Sequence, residues 1–151
     1  METVYCPTPE DTYALGVRLG AAARAGTVVA LLGDLGAGKT LFSRGVGEGL
    51  GVPGRINSPT FVLAMLHLGG RLPLWHADFY RLADEEEIEQ LGLDEALGGP
   101  GVVLVEWADR FPEWLPVDHL RVEIREQGDG REIRWQACGE AHASLERALG
   151  T

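Results

Sequence analysis

Apolar residues recur along this chain at two spacings, and these spacings predict its secondary structure. Continuous or alternating apolar runs are typical of strands, whereas apolar residues repeated every three or four positions are typical of helices. The predicted strands are 3–6, 27–32, 62–68, 72–77, 102–107, 120–126 and 132–137. The predicted helices are 9–25, 39–50, 84–91, 93–97 and 141–149. Because helices alternate with buried-type strands, we predict an α/β fold, with a mixed, mostly parallel sheet flanked by helices, in a single domain over 1–151.

Capping and turn residues define where several of these elements begin and end. Thr8 is predicted to cap the first helix, because it directly precedes Pro9, a residue type favoured at the first helical position. Gly26 is predicted to end that helix. Glycines at 69–70 and the segment 127–130 predict the turns of two hairpins. The acidic run at 84–87 is interpreted as a solvated helix start rather than a metal site, since acids stabilise that end of the helix dipole.

A glycine-rich loop follows the strand at 27–32 and leads into the helix at 39–50. It matches the phosphate-binding pattern G-x-x-x-x-G-K-[ST], with the strand before and the helix after that this motif requires. The residues of the match are Gly33, Asp34, Leu35, Gly36, Ala37, Gly38, Lys39 and Thr40. The alternative is an ordinary glycine-rich turn, but the flanking elements favour nucleotide binding. Lys39 is the sole lysine among 13 basic residues, so arginine meets the general need for surface cations.

The residue types of this loop suit the chemistry of a bound nucleotide. Glycines lack a Cβ, so several backbone N–H groups can approach one phosphate, and the following helix N-terminus adds to the favourable potential. Lys39 is placed to contact the β- and γ-phosphates, and the hydroxyl of Thr40 is a typical Mg²⁺ ligand at this position. We therefore predict Lys39 as a catalytic residue and Thr40 as a metal ligand.

Two polar segments downstream allow more than one interpretation. Ser58 and Thr60 flank a proline where other phosphate-loop proteins have a switch segment that senses the γ-phosphate; an ordinary Ser-Pro turn fits equally well. Asp78 leaves a predicted strand, where it either holds Mg²⁺, directly or through water, or caps the following segment. From spacing alone, capping is favoured. His76, two residues earlier, is interpreted as a strand histidine satisfied by hydrogen bonds.

Glu106 ends the second unbroken apolar strand. In phosphate-loop enzymes a strand beside the loop ends in a carboxylate that holds Mg²⁺ or its waters, so Glu106 is the candidate for that role. The alternative is an acid that merely happens to end a strand. Trp107 follows it, either in the core or as a lid over the site, and the spacing leaves both open. The hairpin at 120–137 and the last helix are expected to complete the sheet, with no evident chemistry.

Composition limits the classes of partner. The formal net charge of −10 and the pI near 4.8 argue against direct binding to nucleic acid or to an anionic membrane surface. Cys6 and Cys138 show no paired spacing, which favours a reducing compartment over a disulfide framework. The sequence shows no signal-peptide pattern and no apolar run of membrane-spanning length, so we expect a soluble, cytoplasmic protein with no membrane association.

These motifs, in this order, resemble the TsaE family, formerly called YjeE, of small bacterial P-loop ATPases in the tRNA threonylcarbamoyladenosine pathway. The resemblance covers nearly the whole length. It rests on GDLGAGKT at 33–40, SPTF at 58–61, HADFYR at 76–81 and VEW at 105–107. Each of the last three is weak alone, and the four together are highly specific.

The resemblance implies a P-loop NTPase-like fold with ATP and Mg²⁺ as ligands. It implies Thr40 and Glu106 as metal-site residues, with Asp78 close to the metal and engaged in hydrolysis. The other site residues that it implies are Ser58 and Thr60 in a switch-like segment and Trp107 near the nucleotide. In this family the stretch around 8–12 lies near the nucleotide base, but it is too variable for residue-level assignment.

The resemblance also implies partners. The family works with TsaD and TsaB, which transfer the threonylcarbamoyl group to adenosine 37 of tRNAs that read codons beginning with A. A member supports that system as an ATPase and does not perform the transfer. The acidity of the chain agrees with contact to tRNA only through the complex. No arginine finger is evident in the sequence, so we expect slow turnover until a partner completes the site.

Three other function classes compete with this one. A small P-loop kinase normally has an arginine-rich lid, whereas the arginines here are scattered. A GTPase needs a second lysine in its usual guanine-reading motif, and the sequence has none. A nucleotide-gated adaptor would bind ATP with negligible turnover, and partners would not accelerate its hydrolysis.

Overall fold

The computed structural model describes residues 2–34, 37–54, 64–81, 84–90, 92–97 and 99–150. The strands are β1 Glu2–Cys6, β2 Val28–Leu32, β3 Ala64–His67, β4 Leu74–Asp78, β5 Val102–Glu106, β6 His119–Gln127 and β7 Gly130–Cys138. The helices are α1 Pro9–Ala22, α2 Lys39–Gly49, α3 Glu85–Gln90, α4 Leu93–Ala96 and α5 Ala143–Leu149. Among the described residues, none of the helices has the length and hydrophobicity needed to cross a bilayer.

The strands in these ranges form one mixed sheet in the order β1-β7-β6-β2-β5-β4-β3. The four central strands, β6, β2, β5 and β4, run parallel to one another, and the strands outside them pair antiparallel. The predicted α/β fold with a mixed sheet between helices is confirmed. Because β2, β4 and β5 are parallel, the residues that follow them meet at one edge of the sheet.

Two hydrophobic cores cover the two faces of this sheet. Alternate residues of β2 divide between them: Val29 and Leu31 join the core beneath α1, α2 and α5, whereas Val28, Ala30 and Leu32 join the core on the other face. All five residues of β2 are therefore buried. This burial on both faces explains why the strand has an unbroken apolar sequence instead of an alternating one.

Helices α1 and α2 pack backbone against backbone through glycines. A Cβ at Gly16 would lie 2.3 Å from the carbonyl oxygen of Phe42, and one at Gly45 would lie 2.2 Å from that of Tyr13. One turn further on, Gly20 faces the α2 backbone at 46–50 in the same way. Since contacts advance together along both helices, α1 and α2 run in the same direction. Their N-termini consequently lie side by side.

The first helix ends at Ala22, earlier than the predicted limit at Gly26. At this end the N–H of Arg24 donates to Oγ1 of Thr27 instead of continuing the helix, and Nη2 of Arg71 donates to the carbonyl oxygens of Gly20, at 2.8 Å, and Ala23, at 2.9 Å. The bonds from Arg71 satisfy carbonyls that the end of a helix leaves without partners. The start is as predicted, because Thr8 caps the helix and forms a capping box with Asp11.

Candidate nucleotide site

The glycine-rich loop lies between the end of β2 and the first turn of α2, as predicted. Gly33 and Gly38 have φ values of +151° and +110°, which side chains rarely adopt. A Cβ on Gly33 would also lie 2.5 Å from the carbonyl oxygen of Ile124 on β6. Glycine is therefore required at this position by both conformation and space. Leu35 and Gly36, predicted contacts of the phosphates, lie outside the described residues.

Lys39, the first residue of α2, is turned back over the loop. It is only 5% exposed, and its Nζ donates to the carbonyl oxygens of Gly33 and, at 3.3 Å, of Asp34. Burial lowers the pKa of this ammonium group from the usual 10.5, and neighbouring carboxylates oppose the shift, Glu106 and Asp78 most strongly. The ammonium group thus lies where the loop, the helix start and two strand ends meet.

The predicted metal ligands come from three adjacent elements. Asp78 ends β4 and Glu106 ends β5, and the two are paired in the register of the parallel strands. Both are buried, at 8% and 3% exposure. Thr40 follows Lys39 in the first turn of α2. Carboxylate and hydroxyl oxygens are the donors that Mg²⁺ prefers, so this set fits that ion.

No ready-made cluster of three or more acidic, histidine or cysteine side chains occurs within the described ranges.

Asp78 also caps the segment that follows it. Its Oδ1 accepts a hydrogen bond of 2.9 Å from the backbone N–H of Tyr80, at the start of a 3₁₀ turn at Phe79–Arg81. The capping alternative is therefore observed. Capping fixes the carboxylate at the sheet edge, next to Glu106, so it is compatible with a metal-site role.

His76 lies below these carboxylates in β4. It is fully buried, and its Nε2 lies 2.5 Å from Oε2 of Glu106. The prediction of a hydrogen-bonded strand histidine holds for Nε2, whereas the buried Nδ1 has no hydrogen-bond partner among the described residues. The partner of Nε2, however, is a predicted metal ligand, a contact that the sequence pattern did not indicate.

Trp107 leaves β5 in a left-handed conformation, with φ 58° and ψ 36°. Among the described residues it is the only non-glycine with positive φ. Its ring lies 3.9 Å from Nζ of Lys39, measured to the centroid, and 4.8 Å from the ring of Tyr80. The half-buried ring therefore covers Lys39 and also packs against the core on its face of the sheet, so features of both alternatives are observed. The cation over its face adds an electrostatic attraction.

Arg131 is a residue at the loop that the sequence analysis missed. Its Nε donates to the carbonyl oxygen of Ala37 at 2.8 Å. The hairpin of β6 and β7, expected to carry no chemistry, thus supplies a cation beside the loop. An arginine in an alternating strand gives no signal of such a contact; only the order of strands in the sheet places it there.

Two pockets adjoin the loop. A pocket of about 100 Å³ lies between the start of α1, β7 and the start of α2, and is lined by residues that include Thr8, Thr12, Gly38 and Arg131. A larger pocket of about 640 Å³ lies towards β6. Its lining includes Gly33, Asp34, Trp107, Asp109, Arg121 and Arg125. Ser58 and Thr60, the predicted switch residues, lie outside the described residues.

Comparison with known proteins adds an independent line of support. The sequence model of the family described as "Threonylcarbamoyl adenosine biosynthesis protein TsaE" matches residues 6–133 of this chain. The chain belongs to the TsaE family. The resemblance inferred from the four motifs is thereby confirmed, and with it a place in threonylcarbamoyladenosine biosynthesis.

Individual TsaE proteins match over most of their length. The tRNA threonylcarbamoyladenosine biosynthesis protein TsaE of Bacillus subtilis is 47% identical over 138 residues, which cover 91% of this chain and 86% of that protein. The protein of the same name from Streptomyces coelicolor is 50% identical over 140 residues, covering 87% and 94%. The crystal structure of Bacillus subtilis YdiB superposes with a TM-score of 0.86 at 40% identity, covering 99% of this chain and 93% of that one.

Proposed function

We propose that this TsaE family member is a Mg²⁺-dependent ATPase that supports threonylcarbamoyl modification of adenosine 37 in tRNAs reading codons that begin with A. It acts with TsaD and TsaB and does not transfer the group itself. The observation that carries the proposal is the convergence of Lys39, the glycine-rich loop and two buried carboxylates, Asp78 and Glu106, at one sheet edge. Phosphoryl transfer needs this combination of cation, backbone donors and metal ligands.

Each residue of the site is assigned a role in binding or hydrolysis of ATP. Lys39 and the backbone N–H groups of the loop neutralise the β- and γ-phosphates, once Nζ exchanges its carbonyl partners for phosphate oxygens. Thr40, Glu106 and Asp78 would hold Mg²⁺, which when bound would neutralise charge on the phosphates. Following the family resemblance, we assign Asp78 a further part in hydrolysis. Trp107 covers Lys39 and limits the access of water to it.

The adenosine end of ATP is assigned to the smaller pocket. Thr8, which caps α1, and Arg131, bound to the loop, line it together with Gly38. The parallel packing of α1 and α2 brings this pocket next to the loop. The same stretch, 8–12, lies near the base according to the family resemblance.

The larger pocket offers a place for a partner to complete the site. It opens beside Gly33 and Trp107, and its lining includes Asp34 and Asp109. A cationic group from a protein partner would complement these carboxylates and stabilise charge on the transferring phosphate. The net charge of −10 agrees with contact to a protein rather than directly to tRNA.

The deciding experiment measures phosphate release from ATP by the purified chain, alone and with the TsaB–TsaD pair. We expect a low basal rate that rises when the pair is added. Lys39→Ala should abolish turnover while leaving the chain folded, because the contacts that Nζ loses, to the carbonyls of Gly33 and Asp34 and to the ring of Trp107, all lie at the loop. Arg44→Ala, which removes a positive charge from the same helix, is the matched control and should retain turnover.

Each other outcome has a distinct meaning. Wild-type turnover by Lys39→Ala would contradict the proposed catalytic site. ATP binding without acceleration by the pair would favour the adaptor. Phosphate transfer from ATP to a small acceptor would favour the kinase, and failure to bind ATP would contradict the proposal as a whole.

A further inference from the structure

His76 is buried under the site but cannot reach solvent or a nucleotide directly. It lies in the middle of β4, at 0% exposure, and pairs in register with Leu104 on β5. Two residues further along the same strands come Asp78 and Glu106. Because side chains two residues apart share a face of a sheet, His76 lies beneath these carboxylates on the face covered by α2.

The imidazole of His76 is joined to Glu106 by a short hydrogen bond. Nε2 lies 2.5 Å from Oε2, and a carboxylate can only accept, so Nε2 carries the proton. The other ring nitrogen, Nδ1, is buried and has no hydrogen-bond partner among the described residues. Within this part of the chain, the hydrogen bonding of His76 is directed to Glu106.

A purely structural role does not account for this arrangement. An apolar side chain would fill a fully buried position in β4 without the desolvation cost of an imidazole. That cost is offset by the bond to Glu106, which fixes the rotation of the carboxylate about its last side-chain bond. Carboxylates that hold metals are commonly held in orientation by such outer hydrogen bonds, and loss of the partner typically lowers metal affinity by about 10- to 100-fold.

We propose that His76 is a positioning residue that holds the carboxylate of Glu106 in the orientation required for binding Mg²⁺ with ATP. This inference rests on the proposed function, in which Glu106 is a metal ligand. His76 itself contacts neither the metal nor the phosphates. It therefore affects the metal requirement of nucleotide binding, and not the affinity for the nucleotide without metal.

The test measures the affinity for a non-hydrolysable ATP analogue by calorimetry over a range of MgCl₂ concentrations. In His76→Leu, the MgCl₂ concentration that gives half of the Mg²⁺-dependent gain in analogue affinity should rise about 10- to 100-fold. The analogue affinity without Mg²⁺ should stay unchanged. His76→Gln should restore the wild-type value, because its amide N–H can take the place of Nε2–H. His67→Leu removes a partly buried histidine from the neighbouring strand β3 and is the matched control, expected to behave as wild type.

A second pair of variants covers the case in which His76→Leu does not fold. Asn is a polar amide like Gln but one carbon shorter, so His76→Asn should fail to reach Glu106 and should raise the Mg²⁺ requirement. Equal Mg²⁺ requirements for the Gln and Asn variants would overturn the inference. So would a wild-type Mg²⁺ requirement in folded His76→Leu.

Failure of the proposed function has a different signature. If analogue binding by the wild type does not depend on Mg²⁺, or if Glu106→Ala keeps the full dependence, Glu106 is not a metal ligand. That result would remove the basis of the inference about His76 as well. If analogue binding depends on Mg²⁺ in the wild type but not in Glu106→Ala, Glu106 is a metal ligand. The Mg²⁺ requirements of the His76 variants then decide whether His76 positions it.

Discussion

Alanine in place of Gly45 should destabilise this protein, although alanine is the better helix former. The added Cβ would lie 2.2 Å from the carbonyl oxygen of Tyr13, 3.0 Å from the backbone N of Val17 and 3.1 Å from Cα of Gly16. All three atoms belong to the backbone of α1, so no side-chain rotation can relieve the contact. The two helices must separate or shift.

The expected size follows from two opposing contributions. Replacing glycine in a helix interior by alanine favours folding by about 1 kcal/mol. Overpacking commonly costs about 1–3 kcal/mol, and contact with rigid backbone places this case at the upper end. The net loss in the free energy of unfolding is therefore about 2 kcal/mol, which lowers Tm by about 4–8 °C for a chain of this size.

Thermal and urea unfolding of the wild type and of Gly45→Ala measure this loss. Gly150→Ala is the matched control, because Gly150 has a φ of −78° and its added Cβ would have no neighbour closer than 3.6 Å. Its Tm should change by no more than about 2 °C. ATP affinity should also fall in Gly45→Ala, since the helices α1 and α2 bring the smaller pocket next to the loop.

An unchanged or higher Tm in Gly45→Ala would refute this reasoning. It would mean that α1 and α2 separate at negligible cost, and that glycine at this position is not required by close packing. A lower Tm with unchanged ATP affinity would retain the packing argument but contradict the assignment of the adenosine end to the pocket beside α1.

Three further outcomes are expected. His142 is buried, and its Nε2 accepts a hydrogen bond of 2.9 Å from the backbone N–H of Val28. Burial lowers the pKa of this imidazole below the ordinary 6.5, so the unfolded chain binds a proton more readily than the folded chain. The free energy of unfolding should therefore be highest above pH 6.5 and fall below it. In urea unfolding between pH 7.5 and 5.5, His142→Gln should reduce the change of the unfolding free energy with pH. The same pH dependence in wild type and variant would contradict this role of His142. Thr8→Ala removes the capping box and should cost about 1 kcal/mol in the same assay, whereas Thr3→Ala on the exposed part of β1 should cost less. Trp107→Ala should weaken ATP binding, measured by calorimetry, because Lys39 loses its aromatic cover; unchanged affinity would return Trp107 to a packing role.

Local features of the sequence were sufficient for most elements and for the loop. The unbroken apolar run at 28–32 predicted a buried strand, and the Thr8-Pro9 pair predicted the start of α1, because both signals act between near neighbours in the chain. The glycine pattern at 33–40 predicted the loop for the same reason. The predicted end of α1 was wrong by a few residues; Arg71, far along the chain, supplies hydrogen bonds to the carbonyls at the observed end, which no local pattern indicates.

The sequence by itself determined which residues could act on a phosphate. They are the glycines of the loop that follows a buried strand, the lysine at the end of that loop, and the acid at the end of each of two later strands. Only the tertiary structure decided which of them meet. The parallel register brings Asp78 level with Glu106, strand order brings Arg131 to the loop, and burial places His76 against Glu106. Such contacts join residues far apart in sequence, and they depend on which strands pair, which no local pattern encodes.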